Sequence, residues 1–167
     1  KNNKRFIISI LNETKNCDLL EWVSKELKND KSFIMEAIDI CDPVEEGDMG
    51  KWILSSKLKN DKEVILGIIN NGLFEISETF SLQHFSDELK NDMEIVLAFK
   101  DNGGHHLEEL QYASNNIRDN KVFIMGLINE SGGKSLKIAS ERLKGDRELV
   151  MNAIVDNTFI GYISERL

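Results

Sequence analysis

The tetrapeptide Leu-Lys-Asn-Asp decides the fold of this chain, because it occurs three times without change. The copies are Leu27-Lys28-Asn29-Asp30, Leu58-Lys59-Asn60-Asp61 and Leu89-Lys90-Asn91-Asp92. Two degenerate copies follow, Ile117-Arg118-Asp119-Asn120 and Leu143-Lys144-Gly145-Asp146. From Asn3 onward, the final residues of the copies are spaced by 27, 31, 31, 28 and 26 residues. Such spacing is typical of a repeat protein in which each copy marks one supersecondary unit.

The segment after each copy has the pattern of an enclosed helix. Counted from the final Asp or Asn, the third, fourth and fifth residues are apolar, and so are the seventh and eighth. The sixth residue is small or polar, as in Gly67 and Ala98. On a helix of period 3.6 the apolar positions cover more than half of the circumference. We call this segment helix A and expect neighbours on several of its sides.

A second segment, helix B, ends at the Leu of the next copy and has a one-sided apolar stripe. In the first repeat that stripe consists of Leu20, Trp22, Val23 and Leu27. Turn residues such as those at 71–72 separate helix A from helix B. Each repeat is therefore predicted to be a helical hairpin. Helices of about ten residues are marginal alone, so the hairpins must stack to bury their apolar faces.

The predicted fold is all-α, an α-solenoid (superhelix) of about six stacked short helical hairpins. A closed bundle of the same helices is the structural alternative. Residues 1–167 would form a single helical-repeat domain. The chain begins without Met and stops at a repeat boundary, so we expect it to be a fragment of a larger protein.

Every position of the tetrapeptide has a structural explanation. Leu completes the stripe of helix B, and Lys complements the negative end of the helix dipole. Asn, or Gly145 in the last copy, would end the helix in the left-handed conformation, and Asp would cap the next helix. The functional alternative is a row of Lys/Asp pairs lining a groove.

A serine precedes the Leu by three residues in all six repeats. No acid or base recurs at a constant distance from it, as nucleophilic catalysis would require. We therefore expect a structural hydroxyl that bonds back to a carbonyl of its own helix. The residues are Ser24, Ser55, Ser86, Ser114, Ser140 and Ser164.

Composition limits the functional classes. The net charge of −8 argues against a nucleic-acid partner, because phosphate contacts need clustered Lys and Arg. No apolar run approaches the length of a membrane span, and two cysteines, Cys17 and Cys41, fit a reducing, cytoplasmic compartment. The pair His105-His106 lacks nearby ligands, and the 42–48 loop lacks a calcium pattern. We predict no cofactor, metal or catalytic residue.

Departures from the repeat give the candidate partner-binding residues. Trp52 occupies a position where other repeats carry residues such as Glu21 and Gln83, although a local shift of the pattern would also explain it. Lys100 replaces an apolar residue of helix A and is expected to extend its amine to solvent. The A–B loops of the second and third repeats are long, and tolerated loop drift is the alternative to a binding edge. Their candidate residues are Glu45, Glu46, Phe74 and Phe80.

Two segments resemble a known tandem-repeat family: Leu58-Lys59-Asn60-Asp61-Lys62-Glu63-Val64-Ile65-Leu66 and Leu136-Lys137-Ile138-Ala139-Ser140-Glu141-Arg142-Leu143. The approximate family pattern is L-K-x-D-[KR]-E-V-V-L-x-A-V, then N-G, then A-L-x-Y-A-S-x-x-L. It is catalogued as a domain of unknown function and occurs in bacterial and protist proteins, including secreted effectors. The resemblance covers the chain apart from the two long loops and the degenerate fourth junction. It implies helical hairpins and carries no catalytic residue.

The leading functional prediction is a non-enzymatic protein-protein interaction scaffold, such as the repeat region of a bacterial effector acting in a host cytosol. The first alternative is an enzyme or enzyme-accessory region whose catalytic residues lie in a domain absent from this chain. The second is a structural spacer. The sequence leaves the oligomeric state and the identity of the protein partner open.

Overall fold

Helices form the regular structure of this protein. The computed structural model describes residues 2–41, 57–73, 80–102 and 107–155, and these contain no strand. The predicted all-α class is therefore confirmed for the described residues. The chain divides into two compact units, Lys1–His106 and Leu107–Leu167, where the sequence predicted one domain.

The long helices of the first unit are α1 (Asn2–Thr14), α3 (Lys31–Ile40), α4 (Lys62–Asn70) and α6 (Met93–Asn102). The last three begin directly after the Asp of the repeat, and α1 begins one residue before Asn3. The shorter elements of this unit are the α-helices α2 (Lys25–Lys28) and α5 (Asp87–Lys90) and the 3₁₀ helices η1 (Cys17–Trp22), η2 (Leu58–Asn60) and η3 (Leu82–His84).

The second unit follows the same order. Its long helices are α8 (Lys121–Ser131) and α10 (Arg147–Val155). Its shorter elements are η4 (Leu107–Tyr112), α7 (Asn115–Arg118), η5 (Gly133–Ile138) and α9 (Glu141–Lys144).

The long helices bury most of the apolar positions that the pattern of helix A predicted to be enclosed, although Phe6, Leu97 and Met151 are exposed. In α4, for example, the four apolar residues Val64, Ile65, Ile68 and Ile69 are fully buried. Within the first unit α1 contacts α3, α3 contacts α4 and α4 contacts α6; within the second, α8 contacts α10. Within each unit, consecutive long helices therefore pack on each other, and this contact buries the apolar surface that a single hairpin would leave in water.

Helix B is not the continuous α-helix that the sequence suggested. In the first repeat it consists of η1, two extended residues (Val23 and Ser24) and α2. The break lies at Ser24, which has φ −63° and ψ 156° and accepts a hydrogen bond from the Leu27 amide at 3.4 Å. Ser86, Ser114 and Ser140 cap their short helices in the same way. The recurring serine is thus structural, but it starts a helix rather than bonding back to a carbonyl.

The Asp of the tetrapeptide caps the next long helix, as predicted. Asp30 Oδ1 accepts from the Phe33 amide at 3.0 Å, and Asp61 Oδ1 accepts from the Val64 amide at 3.3 Å. The left-handed Asn was a wrong prediction: Asn29 has φ −101° and Gly145 has φ −93°. A left-handed residue is not needed at this junction, because a single extended residue, Asp30, connects Asn29 to α3.

The third letter of the tetrapeptide instead contacts the following repeat. Asn60 Oδ1 accepts a hydrogen bond from the amide of Ser86 at 2.9 Å, across 26 residues of sequence. In the second unit Asp119 Oδ1 accepts from the hydroxyl of Ser140. The arginine Arg142 also donates to both carboxylate oxygens of Asp119, at 3.0 and 3.1 Å. This position therefore joins consecutive repeats rather than ending a helix.

Candidate functional site

A row of lysine–carboxylate contacts connects the starts of consecutive long helices in the first unit. Lys31 Nζ, at the start of α3, lies 2.8 Å from Asp61 Oδ1 and 2.7 Å from Glu63 Oε2 at the start of α4. Lys62 Nζ lies 2.7 Å from carboxylate oxygens of both Asp92 and Glu94 at the start of α6. We call each set of one lysine and two carboxylates a rung.

The second unit contains the same arrangement. Lys121 Nζ, at the start of α8, lies 2.9 Å from Asp146 Oδ2 and 2.7 Å from Glu148 Oε2 at the start of α10. At the N-terminal end of the chain the rung is weaker, since Lys4 Nζ lies 3.7 Å from Asp30 Oδ2 and donates to Ser32 Oγ at 3.1 Å. The rung is therefore a feature of the repeat and not of one junction.

The contacts of a rung shift the pKa values of its lysine and its aspartate in opposite directions. Hydrogen bonds to Asp61 and Glu63 raise the pKa of Lys31 above its ordinary value. Burial alone would raise the pKa of Asp61, but hydrogen bonds from Lys31 and the Val64 amide outweigh it, and the pKa lies below the usual range. Both shifts favour the charged forms, so Lys31 and Asp61 form an ion pair.

The functional alternative for the tetrapeptide was a row of Lys/Asp pairs along a groove. The structure contains Lys/Asp pairs beside a groove, but they involve other lysines than those of the tetrapeptide. A groove of about 510 Å³ is lined by Lys31, Asp61, Lys62, Glu63 and other residues of the first unit. Its lysines are those that follow the tetrapeptide, whereas sequence analysis considered only the Lys inside it. The signal was available in the spacing, because Lys31 and Lys62 both follow the capping Asp directly.

The repeat loses its rung residues at one step along the sequence. Met93 stands where Lys31 and Lys62 stand in the preceding repeats. One repeat later, Asn120 and Val122 replace the Asp and Glu, and the Val122 side chain is 83% exposed. The boundary between the two compact units falls between these positions, after His106.

Two of the predicted site residues are covered by the protein. Phe80 is fully buried and packs against Phe85 and Phe99, with ring centroids 5.4 and 6.0 Å away. It completes an aromatic cluster, so the expectation of a ring exposed on a loop edge is corrected. The Lys100 side chain is 19% exposed and its amine lies 2.7 Å from Asp101 Oδ1. The other predicted residues, Trp52, Phe74, Glu45 and Glu46, lie outside the described residues.

Trp22 is the most exposed aromatic side chain among the described residues, and its exposure was not predicted from the sequence. It ends η1 with 80% of its surface exposed, although the helical pattern placed it in the apolar stripe. That stripe assumed a continuous α-helix, and the break at Ser24 removes this assumption. The signal available in the sequence was His84, a polar residue at the same repeat position, which is also exposed.

A disulfide anchors the element that carries Trp22. Cys17, the first residue of η1, is bonded to Cys41 at the end of α3, with the two Cα atoms 5.9 Å apart. Both cysteines are buried. Sequence analysis treated them as thiols of a reducing compartment, and the bond weighs against that basis for a cytoplasmic location.

The described residues lack the features of two common kinds of site or segment. They contain no group of three or more His, Cys, Asp or Glu residues arranged to hold a metal ion. None of the described helices combines the length and apolar character needed to cross a membrane.

Comparisons with known proteins reach only the first quarter of the chain. Residues 1–42 match the family model of a domain of unknown function (DUF4116). The matched segment contains α1, η1, α2 and α3, and therefore both cysteines and Trp22. No curated protein and no solved structure matches the chain. The resemblance to a domain of unknown function is confirmed for this segment, and the tandem family remains a prediction.

Proposed function

We propose that the chain is a non-enzymatic scaffold for a protein partner, with its repeats stacked as an α-solenoid. The recurring rung and the contact of each long helix with the next support stacking within each unit. A protein is favoured over a nucleic acid because the net charge is −8.

The observation that carries this proposal is Trp22. A tryptophan side chain with 80% of its surface in water forgoes a large favourable burial energy. Tryptophan is enriched among the few residues that dominate binding at protein interfaces. The tetrapeptide, the serine and the rung are explained by capping and stacking, whereas the exposed indole contributes to neither. It is therefore the best candidate for an anchor inserted into a partner.

The protein holds Trp22 on a constrained element, which lowers the entropic cost of binding. The start of η1 is tied to α3 through Cys17, and Asn16 accepts a hydrogen bond from the Asp18 amide at 2.9 Å. Near the other end, Lys28 Nζ donates to the carbonyl of Glu21 at 2.8 Å. The indole is thus presented by a short helix that is held at both ends.

The test compares affinity capture with the wild-type chain, Trp22→Ala and His84→Ala. His84 is the matched control, since it is exposed at the same repeat position. We expect Trp22→Ala alone to lose specific partners and to weaken binding of the purified partner by about thirtyfold, the effect of a typical hot spot. Equal recovery by all three chains would refute the role of Trp22. A Trp52→Ala, Phe74→Ala double variant tests the loop residues predicted from the sequence.

A further inference from the structure

Within each unit, one stripe of a long helix receives the long helix that follows it. Residues one, five and nine positions after the cap lie on the same helix face. In α3 the first of these, Lys31, forms the rung with α4. The second, Met35, packs at Gly67 of α4: a methyl group added to Gly67 would lie 3.5 Å from Met35 Cε. The receiving helix thus contributes an Asp-x-Glu start and a small residue six positions after the Asp.

The same stripe of α10 is open to solvent. Arg147 is exposed, and its guanidinium has no ion pair or hydrogen bond with the described residues. Met151 and Val155, four and eight residues further on, are 52% and 72% exposed. In contrast, Met35 and Leu66, which match Met151, are partly buried beneath the following helix and are less exposed than Met151.

The sequence of α10 also favours an interface along this stripe. Val155 stands at the position of Asp39 and Asn70, so the stripe is more apolar here than in α3 and α4. A cation followed by two apolar side chains at four-residue intervals matches the Lys31–Met35 arrangement and extends it. An exposed apolar surface next to an unpaired cation is typical of a binding surface.

We propose that this stripe of α10 binds one further helix of the repeat type, supplied by a repeat additional to those described. That helix would begin with Asp-x-Glu, to complete a rung with Arg147, and would carry Gly or Ala six positions after the Asp, to accept Met151. The interface continues the one already formed between α3 and α4 and between α8 and α10. It is separate from Trp22 and does not depend on the proposed scaffold function.

The described residues of a second copy of the chain do not offer such a helix. Among the described residues, the helices that start with Asp-x-Glu are α4, α6 and α10, and their acids already pair with Lys31, Lys62 and Lys121. The first helix, α1, presents Asn3 and Arg5 at the corresponding positions. Arg5 would repel Arg147, so head-to-tail association of two copies is disfavoured.

The test adds one repeat to the full chain. A copy of residues 59–89 is appended after Leu167, because Lys59 follows Leu58 in the same way. The copied Asp61 and Glu63 then occupy the expected rung positions. We expect Arg147→Glu to lower the urea midpoint of the extended chain and to leave that of the parent unchanged. Changing the copied Glu63 to Lys should restore at least half of the loss, since the charges are then reversed together.

Arg5→Glu serves as the matched control, because it changes the same charge at the other end of the repeats and should leave both chains unchanged. An equal loss with Arg147→Glu in the two chains, or no recovery after charge reversal, would overturn the proposal. Light scattering adds an independent outcome. A dimer of the parent chain that Arg147→Glu abolishes would assign the stripe to a second copy instead, and would also overturn it. Arg147→Lys should behave as wild type in every assay.

Discussion

Adding the same methyl group at two glycines of the second unit should change its stability in opposite directions. Gly126 lies inside α8, and apart from its chain neighbours and the backbone of its own helix no atom lies within 4 Å of the position that a Cβ would occupy. Gly133 begins η5 and is buried, and a Cβ there would lie 2.1 Å from the carbonyl oxygen of Ala153. The two sites are seven residues apart in sequence and belong to one compact unit.

The expected magnitudes follow from these distances. Gly126→Ala should stabilise the unit by about 1 kcal/mol, the difference in helix propensity between the two residues, because the methyl group meets nothing. Gly133→Ala should destabilise it by about 3 kcal/mol, the upper part of the range for overpacking. The obstructing atoms are backbone atoms of α10, so a change of side-chain rotamer cannot relieve the clash.

Thermal unfolding of the full chain, followed by circular dichroism, would measure both effects. For a unit of this size, 1 kcal/mol corresponds to a shift of roughly 4–8 °C in the midpoint. We therefore expect a higher midpoint for Gly126→Ala and a much lower one for Gly133→Ala. Shifts in the same direction would show that η5 does not pack against α10 as described.

Three other predictions concern the first unit. The Cys17–Cys41 bond spans 24 residues, and its reduction should lower the unfolding free energy of the first unit by about 3.5 kcal/mol, because the unfolded chain regains the entropy of the loop. The stability of a Cys17→Ala, Cys41→Ala chain should not change when reductant is added. An intact mass with two extra hydrogens before reduction would contradict the bond. Asp61→Ala should cost about 1 kcal/mol for the lost cap alone, whereas Asp61→Asn keeps an acceptor and should cost less in the same urea titration. Because folding lowers the pKa of Asp61, the contribution of its carboxylate to the unfolding free energy is complete above about pH 4 and is lost as the pH falls through the folded-state pKa. The stability of Asp61→Asn should therefore fall less steeply with acid than that of the wild type. Equal acid profiles of the two chains would contradict this.

Sequence analysis succeeded where the information is local. The apolar spacing that buries Val64 and Ile68 and the capping by Asp61 depend on residues within one helix, so the periodicity was sufficient to predict them. The same holds for the coarse class, since no described residue forms a strand. Helix B was less well predicted, because Ser24 can either sit within a helix or start a new one, and the periodicity of its neighbours does not distinguish the two.

Features that depend on a neighbouring repeat were missed. A rung requires Lys31 to meet Glu63, and the repeat length alone does not say which side chains of consecutive helices face each other. Phe80 was misplaced for a related reason, since its burial depends on Phe85 and Phe99 rather than on its own loop. The exposure of Trp22 could be recognised only once helix B was known to be broken.

The double role of the capping aspartate has a consequence for how the protein unfolds. Asp61 both accepts the amide of Val64 at the start of its own helix and pairs with Lys31 of the preceding helix. Fraying of that first turn would therefore weaken the intrinsic stability of one repeat and its coupling to the neighbour at the same time. In a nearest-neighbour (Ising-type) description the two energies are then correlated, which favours joint opening of adjacent repeats over opening of single ones. Hydrogen exchange should consequently report blocks of several repeats with similar protection.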